Sequence, residues 1–406
     1  MYNHAFYFKK FQEAKMSDTT LILLSAGSST RLNLGVKKQW LRLGETPLWL
    51  FVACNLANMA EFERVLIVAN ESEIFYMQRF LDDLKFKEKN SLNLKPKFEL
   101  ITGGDERAIS LKNALKIVKS EFVMVSDVAR AGISKNLVQR LLEARDKFDC
   151  VSPFLGVCDS AYLGEKMINR DELKLIQTPQ ISRTNLLKKA LDLGENFLDD
   201  SSAVAFVGGK IGFVEGEKEA FKITRKGDLT TLKSLNFPSP SKEIYTGNGY
   251  DVHKFCTGNG IKLCGIKVPC EYGFIAHSDG DVGLHALCDA ILGATGLGDI
   301  GEFFPDSDEK FCGIDSEILL SKVLKMVRNF GFKLINIDVT IIAQAPKISP
   351  FKEQMAQNLA RICEISRTKI NIKATTTEGL GFTGRKEGIA VIATANLGLF
   401  DWEKVE

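Results

Sequence analysis

Gly249-Tyr250-Asp251-Val252-His253, Ala276-His277-Ser278-Asp279-Gly280-Asp281-Val282-Gly283-Leu284-His285-Ala286, Gly298-Asp299-Ile300-Gly301-Glu302 and Phe303-Phe304-Pro305-Asp306 follow one another in a single stretch of the 406-residue chain. That stretch holds three of the four histidines. Asp251 and His253 are two residues apart, so on a strand both side chains leave the same face. The apolar spacing from Val282 to Leu292 predicts a helix that carries His285. Two imidazoles and one carboxylate leave a tetrahedral position open, the ligand count of a catalytic rather than a structural zinc. The competing reading is a set of helix-face or core histidines, the ordinary fate of a single one. Three histidines among several aspartates, between glycine-rich turns, point to a site.

Downstream, Ser316 to Phe330 predicts an amphipathic helix with Ile318, Leu319, Val323, Met326 and Val327 on its apolar side. Leu334 to Ile342 alternates like a strand, and Ala343-Gln344-Ala345-Pro346-Lys347 turns out of it. A helix from Pro350 to Cys363 and strands over Ile370 to Thr375 and Gly388 to Leu397 complete a β-α-β-α-β order. That order fits an α+β sandwich, a sheet with helices on one face. Gly293-Ala294-Thr295-Gly296-Leu297-Gly298 faintly resembles a kinase phosphate loop, but its place between His285 and Asp299 suits a helix end.

Upstream, Thr19 to Leu24 reads as a buried strand running into Ser25-Ala26-Gly27-Ser28-Ser29-Thr30-Arg31, the usual opening of an α/β nucleotide-binding domain. Small residues let backbone N–H groups approach a polyphosphate, and Arg31 and Lys38 stand ready to neutralise it. The loop matches neither G-x-G-x-x-G nor the P-loop pattern. Strands at Val65–Ala69 and Phe122–Ser126 flank a helix opened by Gly103-Gly104-Asp105-Glu106-Arg107-Ala108-Ile109-Ser110. Asp127 then falls at a strand's C-terminal end, where open α/β sheets bind ligands. It suits a Mg²⁺ carried by nucleotide phosphates, or equally a helix N-cap.

After a last helix near Lys226-Gly227-Asp228-Leu229, two prolines among serines in Asn236–Lys242 suit a short, stiff linker. The fold class is therefore α/β, an N-terminal Rossmann-like nucleotide-binding domain joined to a C-terminal α+β sandwich domain. The expected bounds are 17–235, a linker at 236–243, and 244–406. Residues 1–16 lack the h-region of a signal peptide, and Met16 is an alternative initiator. A net charge of +2 gives no global pull towards nucleic acid. Nine cysteines without a CxxC pair fit a reducing cytoplasm, with Cys158, Cys256, Cys264, Cys270 and Cys288 expected as small buried hydrophobes. No apolar run is long enough for a membrane span.

From about Glu243 onward, the words G-x-G-Y-D-V-H-x-F, A-H-S-D-G-D-V-x-L-H-A, G-D-I-G-x-x-F-P-D, A-Q-A-P-K and K-A-T-T-T-E-x-L-G-F-T-G-R resemble 2-C-methyl-D-erythritol 2,4-cyclodiphosphate synthases of the non-mevalonate isoprenoid pathway. The resemblance implies Zn²⁺ at Asp251, His253 and His285, and a second cation, Mg²⁺ or Mn²⁺, at Glu378. It implies that Asp299 and Gly301 hold ribose, and that Ala343, Pro346, Lys347 and Ile348 line a cytosine pocket. Thr375 and Thr376 would bind phosphate, His277 and Ser278 touch substrate, and Asp306 meet the erythritol hydroxyls. Phe382 joins the substrate set, and Arg385 would line an anion pocket on a threefold axis.

From about Leu21 to Leu232, Ala26-Gly27…Arg31, Lys38-Gln39, Gly103-Gly104-Asp105-Glu106-Arg107…Ser110, Asp127…Ala129-Arg130, Asp159-Ser160, Arg170, Thr178-Pro179-Gln180, Val214-Glu215-Gly216 and Lys222-Ile223-Thr224-Arg225 resemble 2-C-methyl-D-erythritol 4-phosphate cytidylyltransferases. By that likeness Arg31, Lys38 and Lys222 hold the CTP phosphates, with Mg²⁺ or Mn²⁺ at Asp127. Gly104 and Ser110 hold cytidine, Arg130 stands behind them, and Ser160, Arg170 and Thr178 hold the acceptor phosphate, partly across a dimer interface. The chain departs from the family at Leu24-Ser25, Lys37, Val128, Ala131, Ser160 and Tyr162, where the family has Pro-Ala, Pro, Ala, Pro, Thr and Lys. None of these removes a phosphate-binding cation.

Together the resemblances imply a bifunctional enzyme acting on CTP, methylerythritol phosphate and its CDP derivatives. They imply a homo-oligomer with threefold symmetry, a trimer or a hexamer, without nucleic-acid or membrane partners. The cytidylyltransferase product lacks the 2-phosphate that cyclisation needs, so a separate kinase must act between the steps; no Walker A sequence is present to supply it. Two rivals stay open here: a zinc phosphohydrolase joined to a nucleotide-sugar pyrophosphorylase, and a catalytically dead binding scaffold.

Overall fold

The computed structural model describes residues 18–89, 97–195, 197–275, 278–305, 307–311 and 313–405. They form two units: one takes the chain up to Arg31 and Thr46–Phe237, the other Leu32–Glu45 and Pro238 onward.

The first unit is built on an eight-stranded sheet. Its strands are β1 (Thr19–Leu24), β2 (Arg64–Ala69), β3 (Lys97–Thr102), β4 (Phe122–Asp127), β5 (Cys150–Gly156), β6 (Lys174–Ile176), β7 (Gln180–Arg183) and β8 (Ile211–Glu215). The order is β6-β5-β7-β4-β1-β2-β3, with β8 beside β5. β1 runs parallel to β2 and β4, and β7 is antiparallel. Strands buried on both faces read as continuous apolar runs, which is why Leu21–Leu23, Val65–Val68 and Val123–Val125 are fully buried. Helix Arg107–Leu115 begins after the Gly103-Gly104 turn, as its sequence predicts.

The second unit has a five-stranded sheet of β9 (Tyr245–Thr257), β10 (Tyr272–Phe274), β11 (Phe332–Ile342), β12 (Ile370–Thr375) and β13 (Gly388–Leu399). Its order is β10-β9-β13-β11-β12. Helices Val282–Thr295, Ser316–Asn329 and Lys352–Cys363 pack against it. Thr246, Asn248, Tyr250 and Val252 alternate outward from β9 and are exposed. Gly296, at φ 68°, ends helix Val282–Thr295 in a left-handed cap, so the Gly293–Gly298 run is a helix stop.

Leu32–Glu45 is folded into this second unit. Trp40 meets Phe330 edge to face at 4.8 Å, Arg42 donates to the Phe330 carbonyl at 3.2 Å, and Trp402 Nε1 donates to the Arg42 carbonyl at 2.7 Å. Trp40 and Trp402 are fully buried.

Two sequence expectations need correction. Ile318 is 48 % exposed because it lies at the solvent edge of its helix, whose inner face is Leu319, Leu320, Val323, Leu324 and Val327. Cys158 is exposed, and Cys256 and Cys270 are half-buried; only Cys264 and Cys288 of the five are buried, and the eight described cysteines are all free.

Candidate active sites

The pleat of β9 sends Gly247, Gly249, Asp251 and His253 to one face, the face against helix Val282–Thr295. A Cβ on Gly249 would sit 1.9 Å from the Ala286 carbonyl oxygen, so strand and helix touch backbone to backbone. Asp281 caps the helix, accepting from Leu284 N at 3.0 Å and also from Cys264 N and Gly265 N at 2.8 and 2.6 Å. This close seating brings His285, one turn in, over the two strand residues.

Asp251 Oδ2 stands 3.2 Å from His285 Nδ1 and 3.3 Å from His253 Nδ1. One ligand atom from each of the three residues lies within 4.8 Å of the others. His253 Nδ1 is buried without a hydrogen-bond partner among the described residues. Burial, partly offset by Asp251, pushes the His253 pKa down. Burial also opposes charge on His285, but the hydrogen bond and charge of Asp251, with the charges of Asp281 and Asp279, together outweigh it and raise that pKa. Two imidazole nitrogens and a carboxylate oxygen, one nitrogen orphaned, fit a divalent cation.

The cluster opens on a cleft of about 680 Å³ shared with Ser278, Gly301, Ile300 and Phe304. Ser278 Oγ is 3.2 Å from His285 Nε2. Asp299 caps the short helix Ile300–Phe303 by accepting from Glu302 N. His277 and Asp306 lie outside the described residues.

A second group gathers at the ends of β11 and β12. Ala343 N donates to the Thr375 carbonyl at 3.0 Å, and Thr376 Oγ1 donates to Glu378 at 3.0 Å. The turn holds a cis Ala345–Pro346 bond, with Lys347 exposed and Ile348 buried. Phe382 lies on helix Gly381–Gly384, and Arg385 is paired with Glu387 at 2.8 Å. None of this group lines the cleft. Register aligns Val252, Ala390, Ile342 and Thr375 across the sheet, so three strand spacings, about 14 Å, separate the two sets.

In the first unit, β4 delivers Asp127 to a cluster. Lys222 Nζ pairs with its Oδ2 at 2.9 Å, and Thr178 Oγ1 donates to the same oxygen at 3.2 Å. Arg130 donates from Nε to Thr178 Oγ1 at 2.8 Å and from Nη1 to the Ala220 carbonyl at 2.6 Å. Burial favours the neutral acid, but Lys222, Arg107 and Arg130 outweigh it and hold Asp127 below the ordinary carboxylate range. Ser134, not Asp127, caps the helix that follows, Lys135–Ala144. Ser110 Oγ clasps the glycine turn, accepting from Gly104 N at 3.0 Å. A Cβ on Gly103 would meet that of Ala26 at 2.7 Å, so the turn sits against the small-residue loop. Arg31 is exposed at the loop's end. Ser160 and Arg170 lie on an exposed arm with the Ala161–Leu163 and Lys166–Ile168 ribbon, Arg170 donating to the Cys158 carbonyl. Lys38 belongs to the segment grouped with the second unit.

A family model described as 2-C-methyl-D-erythritol 4-phosphate cytidylyltransferase matches residues 19–235, and one described as the YgbB family matches 244–398. The bifunctional enzyme IspD/IspF of Campylobacter hominis is 58% identical over 389 residues, covering 96% of this chain and 100% of that protein. Its counterpart in Campylobacter jejuni strain RM1221 is 51% identical over 390 residues, with the same coverage. The solved structure of bifunctional IspDF from Campylobacter jejuni superposes with a TM-score of 0.86 at 50% identity, covering 96% of this chain and 100% of that one. The chain belongs to the bifunctional IspD/IspF enzymes, a cytidylyltransferase and a cyclodiphosphate synthase of isoprenoid biosynthesis on one polypeptide.

Proposed function

We propose that cyclisation takes place at the Asp251–His253–His285 cleft and cytidylyl transfer around Asp127 and Lys222, within domains bounded at 17–235 and 244–406. In the first reaction a 2-phosphate oxygen attacks the β-phosphorus of the same CDP-methylerythritol phosphate and expels CMP. In the second, the phosphate of methylerythritol 4-phosphate attacks the α-phosphorus of CTP and expels pyrophosphate. The observation that carries the reading is the three donor groups, one an orphaned buried nitrogen, converging on an open cleft.

Zn²⁺ held by Asp251, His253 and His285, with Mg²⁺ or Mn²⁺ at Glu378 and Asp127, would supply Lewis acidity and neutralise phosphate charge. The protein's part is positioning and electrostatics, with no covalent residue. Lys222, already beside Asp127, and Arg31 offset the triphosphate charge.

The group around Ala343, Lys347, Thr375 and Glu378 stands too far across its own sheet to share the cleft of its own chain. A neighbouring copy can supply it, which favours a threefold assembly. Tyr162, Leu163 and Met167, 62, 74 and 67 % exposed, suit a twofold contact of the first unit, and the two together close a hexamer. Among the described residues no helix is long and apolar enough to cross a membrane, and the free cysteines suit the cytoplasm.

Given CTP, Mg²⁺, Zn²⁺ and methylerythritol phosphate, the protein should stop at the cytidine diphosphate alcohol, read by phosphorus NMR. Cyclic diphosphate should appear only after the separate kinase and ATP are added. Linear monophosphate as the end product would mark a phosphohydrolase instead.

A further inference from the structure

His285 is held from behind as well as in front. Its Nε2 lies 2.9 Å from Ser316 Oγ, and Ser316 Oγ donates to Asp279 Oδ1. Asp279 Oδ2 in turn receives Lys262 Nζ at 2.7 Å, and Lys262 also reaches Asp315 at 2.9 Å. Ser316 is fully buried at the first position of its helix. Nothing in the catalytic reading above uses Ser316, Asp279 or Lys262.

Proton counting gives this chain a direction. The lysine can only donate, so Asp279, paired with it, is an acceptor on both oxygens. Ser316 has one proton, and it goes to Asp279. Its oxygen can therefore only accept from His285, so Nε2 carries the ring proton. Ser278 Oγ, 3.2 Å from the same nitrogen, already accepts from Gly280 N and can take the same N–H as a second acceptor. With Nε2 committed to Ser316, the proton that bonds Nδ1 to Asp251 in the metal-free protein is the one a cation displaces, leaving the Nδ1 lone pair to the cation.

We propose that Ser316, Asp279 and Lys262 form a positioning relay that fixes the His285 tautomer and aims Nδ1 at the cation site. The proposal rests on the metal reading given above. The chain runs lysine to carboxylate to serine to imidazole, each link donating towards Asp279. It does for His285 what a carboxylate behind a ligating histidine does elsewhere: it orients the ring and raises its basicity.

The test is the zinc affinity of the metal-free, full-length protein, measured by competition with a chromophoric chelator. Ser316→Ala should weaken zinc binding about 10- to 100-fold, and Ser316→Thr, which keeps the hydroxyl, should restore it. Asp279→Asn should weaken it at least as much. An amide has a single acceptor oxygen, and with Ser316 N also donating at the Oδ1 position at 3.2 Å it cannot serve Lys262 and Ser316 together, so the relay is broken. Because Asp279→Asn leaves the serine in place, it reads the link even if the alanine variant packs poorly. Cytidylyl transfer should stay at wild-type level in all three. Wild-type zinc affinity in both Ser316→Ala and Asp279→Asn would overturn the relay. Wild-type affinity in His285→Ala would overturn the metal reading itself.

Discussion

His253 and His285 show how little local chemistry decides a residue's role. Both are imidazoles beside Asp251 and burial opposes charge on both, yet it pulls the pKa of His253 down while Asp251, Asp281 and Asp279 together lift that of His285. Their partners, not their identity, prepare them as a neutral donor and an oriented one. Lys222 shows the same dependence, since its 2.9 Å pair with Asp127 places a cation where the triphosphate reading needs one. Because the two clusters belong to different units, single substitutions should separate the activities. His285→Ala should abolish cyclisation and leave cytidylyl transfer near normal, and Lys222→Ala should do the reverse, in separate assays of each product. Loss of both activities in either folded variant would refute the assignment of sites to units. Asp251 and His253 were legible as a same-face pair from their spacing alone. Asp279 and Ser316 were not legible as partners, because they stand 37 residues apart and meet only through folding.

Among the elements, the crossing of β9 and helix Val282–Thr295 governs the site. Its signal in the sequence is two glycines at alternate strand positions, Gly247 and Gly249, opposite Ala290 and Ala286. Gly249→Ala would drive a methyl group into the helix backbone and push His285 away from Asp251. The expected cost is about 1–3 kcal/mol of stability from overpacking, with weakened zinc binding, measured by thermal unfolding and metal content. An unshifted melting temperature would show that the helix can move aside. Periodicity predicted strand Ile370–Thr375 to the residue and strands Phe332–Ile342 and Gly388–Leu399 and helices Ser316–Asn329 and Lys352–Cys363 to within two residues, because each buries one face, but it gave no strand at Tyr272–Phe274. It did not reveal that Thr375 stands in register with Val252 yet three strands away, since sheet order is set by long-range pairing.

For the whole molecule, the proposal that the Thr375 group serves a neighbour's His285 cluster requires a lone chain to be an incomplete cyclase. Light scattering should find assemblies in multiples of three, and a stable, fully active monomer would refute that expectation. The α/β and α+β halves could be read from strand and helix patterns, and their chemistry from short motifs. The destination of Leu32–Glu45 could not, because Trp40 finds Phe330 and Arg42 finds Trp402 without any local signal.

That excursion bears on how the two halves can be inherited. The backbone passes between units after Arg31, after Glu45 and after Phe237. A gene split in the proline-rich stretch near Pro238 would leave the cyclase fragment without the peptide that covers Trp402 and Phe330. The chain therefore interleaves its two units rather than stringing two cassettes together, and a cyclase fragment cut near Pro238 should melt lower than the same unit in the full chain.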